Sequence, residues 1–170
     1  NPRSGTTFLH RLLANDPQFS STKLYHTIFP SVSFYRLFDT VEKPLNRLME
    51  WLDKRSFSGW QRIHKTELNG YEEDETFFVW SLLTPVISLL FPFPEQLKTA
   101  IWVDQLPQKN RDQLMSYYQN CLKRHLYATG TNKTLLTKNT TCTGRLASML
   151  DALPDTRVIH LIRHPYEAIP

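Results

Sequence analysis

The stretch that decides the fold is KTLLTKNTTCTGRLASMLDALPDTRVIHLIRHP, from Lys133 to Pro165. Its first part, KTLLTKN, is typical of a short buried strand, and residues Arg145 to Leu153 have the apolar spacing of a helix. The run from Val158 to Ile162 is again apolar and predicts a second strand. Because strands that alternate with helices pair in parallel, this order predicts an α/β fold.

The chain opens with NPRSGTTFLHRLLANDP, a loop that runs into apolar residues at helical spacing. Gly5-Thr6-Thr7 is predicted to form the first turn of a helix that ends near Asn15. The N–H groups of a first turn and the positive end of the helix dipole attract an anion. Hydroxyls from Ser4 and the two threonines add donors, and Arg3 adds a permanent charge. The loop is therefore a candidate oxyanion site, and the alternative is an ordinary capped helix with a solvated arginine.

This loop is not a Walker A motif. That motif requires a lysine directly after its second glycine, where it reaches the phosphates of a nucleotide. Here one glycine, Gly5, is present and the cation precedes it. Magnesium-dependent nucleotide hydrolysis is therefore disfavoured.

The remaining elements are predicted from apolar periodicity and from breaker residues. Pro107 and Gly130 bound the clearest helix, Gln108 to Ala128, and helices are also expected over Val41–Lys54 and from Phe77 to about Thr84. The acidic residues Glu72 to Glu75 suit the N-terminus of that last helix. The stretch FSSTKLYHTIFPSVSFYRLFDT is expected to be loop with short helical pieces.

Composition bounds the class of protein. The 170 residues are expected to form one domain, spanning 1–170. A content of 41% hydrophobic and 21% charged residues indicates a globular fold. The net charge of +4 is spread along the chain, which gives nucleic-acid binding little support. Cys121 and Cys142 have neither metal-ligand nor disulfide-framework spacing, so no metal is expected. The longest apolar run, Val79 to Pro94, is interrupted by Pro85 and is too short to span a membrane.

Three cations are expected at one edge of the sheet. Ligands of open α/β sheets bind beyond the carboxyl ends of the strands. Lys138 and Arg163 each follow a predicted strand, and Arg3 lies in the opening loop, which we expect to follow another strand. Each cation alone is an ordinary surface charge, but the three together predict a site for a polyanion.

These motifs resemble the sulfotransferases that use 3′-phosphoadenosine 5′-phosphosulfate. The sequence PRSGTT before an amphipathic helix is similar to their 5′-phosphosulfate loop, and LPDTRVIHLIRHPYEAIP is similar to their 3′-phosphate strand, loop and helix. The stretch from Leu135 to Pro165 and the segment HKTELNGYEEDE resemble the bacterial-type and tyrosylprotein-type branch. The resemblance extends from the first residues to the last.

The resemblance implies a fold like that of P-loop NTPases, with three layers and a central parallel sheet. In that family a buried strand precedes the opening loop, and a second 3′-phosphate ligand would lie beyond Pro170. We therefore expect a partial domain, truncated at both ends, that represents an internal fragment.

The resemblance also implies a reaction and a set of roles. The family transfers a sulfuryl group from the phosphosulfate donor to a hydroxyl or amine, in line and without a metal. Arg3 matches the cation that stabilises the leaving oxygen, and Lys138 matches a second cation near the transferring group. Together with Arg3, the residues Ser4, Gly5, Thr6 and Thr7 would wrap the 5′-phosphosulfate. Arg163 would bind the 3′-phosphate, which suits a bidentate guanidinium.

The general base and the acceptor are less determined. His26 and His64 are the candidate bases, and for both the alternative is a solvated loop histidine. Aromatic side chains could line an apolar acceptor pocket, although aromatics are more often core; these are Tyr25, Phe29, Phe34, Phe77, Phe78 and Trp80. Small-molecule, glycan, lipid and peptide acceptors stay open, as does the oligomeric state. We expect a cytoplasmic location, or the Golgi lumen if the full-length protein carries an anchor.

Two other functions are left open. A P-loop nucleotide kinase or NTPase shares the implied fold, but it would need the missing Gly-Lys-Ser/Thr and a magnesium carboxylate. A non-catalytic nucleotide-binding module would keep the loops and bind adenosine 3′,5′-bisphosphate without any transfer.

Overall fold

One long helix, Gln108–Thr129, organises the packing of the protein. The computed structural model describes residues 4–41, 44, 70–89, 91, 93, 95, 97–130, 132–164 and 166. In chain order its helices and strands are α1 (Thr6–Ala14), β1 (Phe19–Ser21), α2 (Leu24–Ile28), α3 (32–41), α4 (Glu75–Val79), α5 (Lys98–Ile101), α6 (Gln108–Thr129), β2 (Thr134–Leu136) and α7 (Leu146–Ala152). Short 3-10 turns lie at Pro85–Leu89, Val103–Gln105 and Cys142–Arg145.

The prediction for α6 is confirmed to within one residue. Pro107 precedes the first turn, where its missing N–H costs nothing, and Gly130 follows the last turn with a φ of 132°. One face of the helix is buried. Its members are Leu114, Met115, Tyr118, Cys121, Leu122 and His125.

The main core forms where α4 and α7 pack against this face. Phe77 and Phe78 of α4 and Met149 of α7 are buried with it. A second aromatic cluster joins α2 to α3 through Tyr25, whose ring stacks on that of Phe38 at 4.2 Å. Tyr25, Phe77 and Phe78 are therefore core residues. This is the second of the two interpretations that the sequence allowed for them, the first being an acceptor pocket.

Helix α7 depends on a residue far along the chain. The carboxylate of Asp104 accepts hydrogen bonds from the N–H groups of Ala147 and Ser148, at 3.0 and 2.9 Å. Gly144, in the preceding turn, lies so close to Ile101 that an added Cβ would stand 1.8 Å from its carbonyl oxygen. The predicted helix Arg145–Leu153 is therefore confirmed, and its start is fixed by tertiary contacts.

Two strands form a parallel pair, as an α/β fold requires. Strand β1 pairs with β2 in the register Phe19↔Thr134, Ser20↔Leu135 and Ser21↔Leu136. The predicted strand KTLLTKN is confirmed over Thr134–Leu136, although it is only partly buried. Its partner comes from a stretch predicted to be loop, because Phe-Ser-Ser has no strand signal of its own.

The predicted strand Val158–Ile162 is wrong for the structure as described. These residues have no ladder partner in the described part of the chain, and Val158, Ile159 and Ile162 are exposed. An apolar run becomes a strand only where a neighbouring strand takes up its N–H and C=O groups. The sequence pattern cannot supply that neighbour.

Two other boundaries differ from expectation. Helix α4 ends at Val79, not near Thr84, because the Ser81 hydroxyl donates to Phe78 O at 2.7 Å and accepts from Leu83 N at 3.3 Å. Such local hydrogen bonds compete with helical ones.

The stretch after β1 is more regular than predicted, since α2 and α3 occupy most of it. Apart from residues 41 and 44, the predicted helix Val41–Lys54 lies outside the described residues.

Candidate functional site

The carboxyl ends of β1 and β2 and the N-terminus of α1 meet at one place. The ammonium group of Lys138, two residues after β2, donates to Thr7 Oγ1 at 3.0 Å. Thr7 lies in the first turn of α1, whose N-cap is Gly5. Two of the residues predicted to share a site are therefore in contact.

The first turn of α1 has the geometry of an anion cradle. Gly5 adopts a φ of 90°, a left-handed conformation that favours glycine, and its carbonyl accepts the first helical hydrogen bond from Leu9 N at 3.1 Å. The N–H groups of a first turn have no partner inside the helix. No acidic side chain lies in that turn, so its positive end is not neutralised from within the helix. Ser4 and Thr6 are half-buried beside it.

Lys138 is held by a carboxylate that the sequence reasoning did not single out. Its Nζ lies 2.9 Å from Glu73 Oε1, and the two side chains are 13% and 27% exposed. Glu73 Oε2 accepts from Thr140 N at 3.3 Å and from Thr140 Oγ1 at 2.9 Å. Burial raises the pKa of Glu73, but hydrogen bonding and charge from Lys138, with help from Thr140, lower it overall. The acidic run Glu72 to Glu75 was the available signal, and it was assigned to a helix N-terminus instead.

The next two acidic residues fix the backbone around Lys138. Asp74 N donates to Lys138 O at 3.2 Å. The side-chain amide of Asn139 donates to Asp74 Oδ1 at 2.9 Å and to Glu75 Oε2 at 2.8 Å. Hydrogen bonds therefore join Lys138 and Asn139, which follow β2, to Asp74 and Glu75 at the N-terminus of α4.

A buried ion pair stabilises the contact between these two segments. Arg145 Nη2 lies 2.6 Å from Glu75 Oε1, and the two side chains are 1% and 4% exposed. The guanidinium carbon also lies 4.0 Å from the ring centre of Phe78. The Thr84 hydroxyl donates to Glu75, and the Tyr118 hydroxyl donates to Asp74. Burial raises the pKa of Asp74 to about 6, although the hydrogen bonds from Tyr118 and Asn139 act to lower it.

His26 is placed in the interior, not in a solvated loop. Its side chain is 3% exposed, and its ring lies 4.8 Å from that of His125 and 4.5 Å from that of Tyr35. Its Nδ1 accepts from Lys23 N at 3.2 Å, so the neutral ring carries its proton on Nε2. Burial, followed by the nearby His125, lowers the pKa of His26 to about 3. This arrangement leaves the ring no free lone pair with which to accept a proton.

The buried histidine His10 lies close enough to Lys138 for the lysine's charge to affect its pKa. Its Nε2 lies 2.7 Å from Ser21 Oγ, and that hydroxyl donates to Leu136 O at 2.8 Å. Since the hydroxyl has already donated its proton, His10 Nε2 is the donor. Burial and then the charge of Lys138 lower the pKa of His10. His10 therefore ties α1 to the carboxyl ends of both strands as a neutral ring.

The other predicted residues are placed less fully. Arg163 is exposed at the end of the segment 156–164, which is in no ladder. Arg3 and His64 lie outside the described residues. Phe29, Phe34 and Trp80 line an open cavity at the far ends of α2 and α4.

Neither a metal cluster nor a membrane-spanning helix is present among the described residues. No group of three or more His, Cys, Asp or Glu side chains there is arranged to hold a metal ion. Nor does any helix of the described part have the length and apolar character needed to cross a bilayer.

Comparison with known proteins gives the same family over the whole chain. The model of the sulfotransferase family matches residues 1–170. The omega-hydroxy-beta-dihydromenaquinone-9 sulfotransferase Stf3 of Mycobacterium bovis is 25% identical, over 99% of this chain and 41% of that protein. Its Mycobacterium tuberculosis counterpart matches with the same values. The chain thus spans 41% of the length of these relatives. No solved structure matches it.

Proposed function

The chain belongs to the sulfotransferase family, and from this membership we propose that the protein transfers a sulfuryl group from 3′-phosphoadenosine 5′-phosphosulfate to a hydroxyl group. The observation that carries the proposal is the contact between Lys138 and Thr7. It puts a cation against a helix N-terminus at the carboxyl edge of a parallel sheet, where an anionic ligand is expected. We further propose that this small sheet belongs to the three-layer, P-loop-like fold that the sequence resemblance implies.

In the proposed reaction an acceptor oxygen attacks sulfur while the bond from sulfur to the bridging phosphate oxygen breaks. Negative charge develops on that leaving oxygen, and preorganised cations stabilise it. Arg3 would stabilise that leaving oxygen. Lys138, which Glu73 holds beside the cradle, would be the second cation, near the transferring group. Arg163 would bind the 3′-phosphate. The other product is adenosine 3′,5′-bisphosphate.

The acceptor must lose a proton to a base. His64 is the candidate that we retain, since the buried ring of His26 has no free lone pair in this arrangement. The mycobacterial relatives are named for an omega-hydroxy compound. A hydroxyl is therefore the acceptor group that we propose here.

Calorimetric titration with adenosine 3′,5′-bisphosphate tests the donor site. We expect tight binding by the wild type and a loss of about ten- to hundredfold in Arg3→Ala and in Arg163→Ala, the usual effect of one charge-assisted contact. Lys123→Ala, an exposed lysine on α6, is the matched control and should bind as the wild type does. Unchanged affinity in Arg163→Ala would remove the 3′-phosphate assignment.

Product analysis distinguishes the reaction classes. Transfer of radiolabelled sulfate from the phosphosulfate donor to an alcohol, in the presence of a chelator, is the expected result. Magnesium-dependent turnover of ATP would favour a kinase or NTPase. Tight binding of the bisphosphate without transfer would indicate a non-catalytic module.

A further inference from the structure

A groove of apolar and aromatic side chains lies at the far ends of α2 and α4. It is an open depression of about 430 Å³, and we call it the aromatic groove. Its lining residues are Ile28, Phe29, Pro30, Ser31, Phe34 and Trp80. The rings of Phe29 and Phe34 lie 4.4 Å apart, so one wall is already packed. The groove is therefore wide enough to take an apolar chain along its surface.

The groove exposes aromatic surface that a folded protein normally buries. Phe29 is 48% exposed and Trp80 is 59% exposed. Contiguous exposed apolar surface of this kind marks a binding site more often than scattered single residues do. Among the described residues, no charged side chain lines the groove, so it suits a ligand that presents an apolar surface.

The groove is connected to the donor site by two short helices. Helix α2 begins after Lys23, whose backbone is bridged to Tyr71, and it ends immediately before Phe29. Helix α4 begins two residues after Glu73, the partner of Lys138, and ends immediately before Trp80. Each helix has five residues, which corresponds to about 7 Å. Glu73, the partner of Lys138, and Trp80 of the groove are thus seven residues apart, on the order of 10 Å along the direction of α4.

We propose that the aromatic groove binds the apolar chain of the acceptor alcohol, with the hydroxyl directed to the site at Lys138. This inference rests on the proposed sulfuryl transfer and narrows its substrate to alcohols with an apolar chain. Contacts in the groove are the same before and during transfer. They therefore lower KM and leave kcat unchanged.

A series of primary alcohols from butanol to dodecanol tests the groove. We expect KM to fall by about three- to fourfold for each added methylene until the groove is filled, with kcat constant. A KM that does not depend on chain length overturns the proposal. Equilibrium dialysis of radiolabelled decanol gives a second readout that needs no turnover. If no alcohol is sulfated but decanol binds in the groove, the proposed function fails and the groove assignment stands.

Trp80→Ala and Trp102→Ala form a matched pair, since Trp102 is also exposed, at 47%, and lies outside the groove. Trp80→Ala should raise the KM and the dialysis Kd of decanol at least tenfold and leave butanol unaffected. Trp80→Phe should restore most of the loss, and Trp102→Ala should match the wild type. Equal effects in Trp80→Ala and Trp102→Ala, in either assay, contradict the assignment. Because both side chains are exposed, neither substitution should disturb the fold, and circular dichroism of each variant checks this.

Discussion

The ammonium group of Lys138 lies 3.0 Å from Thr7 Oγ1, although 131 positions separate the two residues in the chain. The contact joins the residues that follow β2 to the first turn of α1. It is the point at which two separately recognised motifs become one site.

Lys138→Ala is expected to weaken binding of adenosine 3′,5′-bisphosphate and to slow transfer. Loss of one charge-assisted contact costs about 1.5–3 kcal/mol, or one to two decades in the rate where it acts on the transition state. Calorimetry and initial rates measure the two effects. Lys138→Arg should retain part of the affinity, and Lys123→Ala should retain all of it. Wild-type affinity and rate in Lys138→Ala would show that the contact has no functional role.

Glu73→Gln is expected to act in the opposite direction on binding. Its carboxylate competes with an anionic ligand for the ammonium group of Lys138, 2.9 Å away. Neutralising it should raise the affinity for the bisphosphate by about two- to fivefold, as for a partly exposed ion pair. The same titration measures this change. Weaker binding in Glu73→Gln would mean that Glu73 chiefly positions Lys138 and does not compete for it.

Asp74→Asn should change how stability depends on pH. The pKa of Asp74 is raised to about 6 in the folded protein by burial. A raised pKa gives stability that is fully present below the unfolded value and is lost as pH rises through about 6. The free energy of unfolding of the wild type, minus that of Asp74→Asn, should therefore fall between about pH 4 and pH 7. Urea titrations of both proteins give this difference, and a flat difference contradicts the prediction.

Arg145→Met should be strongly destabilising. It leaves the carboxylate of Glu75, now 4% exposed, without its 2.6 Å partner. Breaking a buried pair in this way costs about 3–5 kcal/mol, measured as the free energy of unfolding in urea. Adding Glu75→Gln should recover part of the loss. Lys98→Ala, which removes the exposed pair with Glu95, is the control and should have little effect.

His26 and His125 should remain neutral in mildly acidic solution. Burial is the main reason that the pKa of His26 is lowered to about 3 and that of His125 to about 4. Because depressed values favour the neutral ring, their contribution to stability is present above the unfolded pKa and is lost as pH falls through these values. NMR titration should show both rings unprotonated from about pH 8 to pH 5. Protonation of either ring in that range would contradict the burial that the structure shows.

The sequence by itself determined the helices whose signals lie within a short stretch of chain. Apolar periodicity with Pro107 and Gly130 located α6, and the Gly-Thr-Thr turn located α1. These signals depend on neighbours three or four residues away, so the sequence contains them in full. The sequence also contained the two motifs that indicate the family, since each is a continuous stretch.

Only the tertiary structure decided which segments meet. It paired β2 with β1 instead of with Val158–Ile162, and it gave Lys138 its carboxylate partner, Glu73. It also buried His26 and left Trp80 exposed in the lining of the aromatic groove. Strand pairing, ion pairing and burial each depend on what packs from distant parts of the chain, and the residue types alone do not specify those partners.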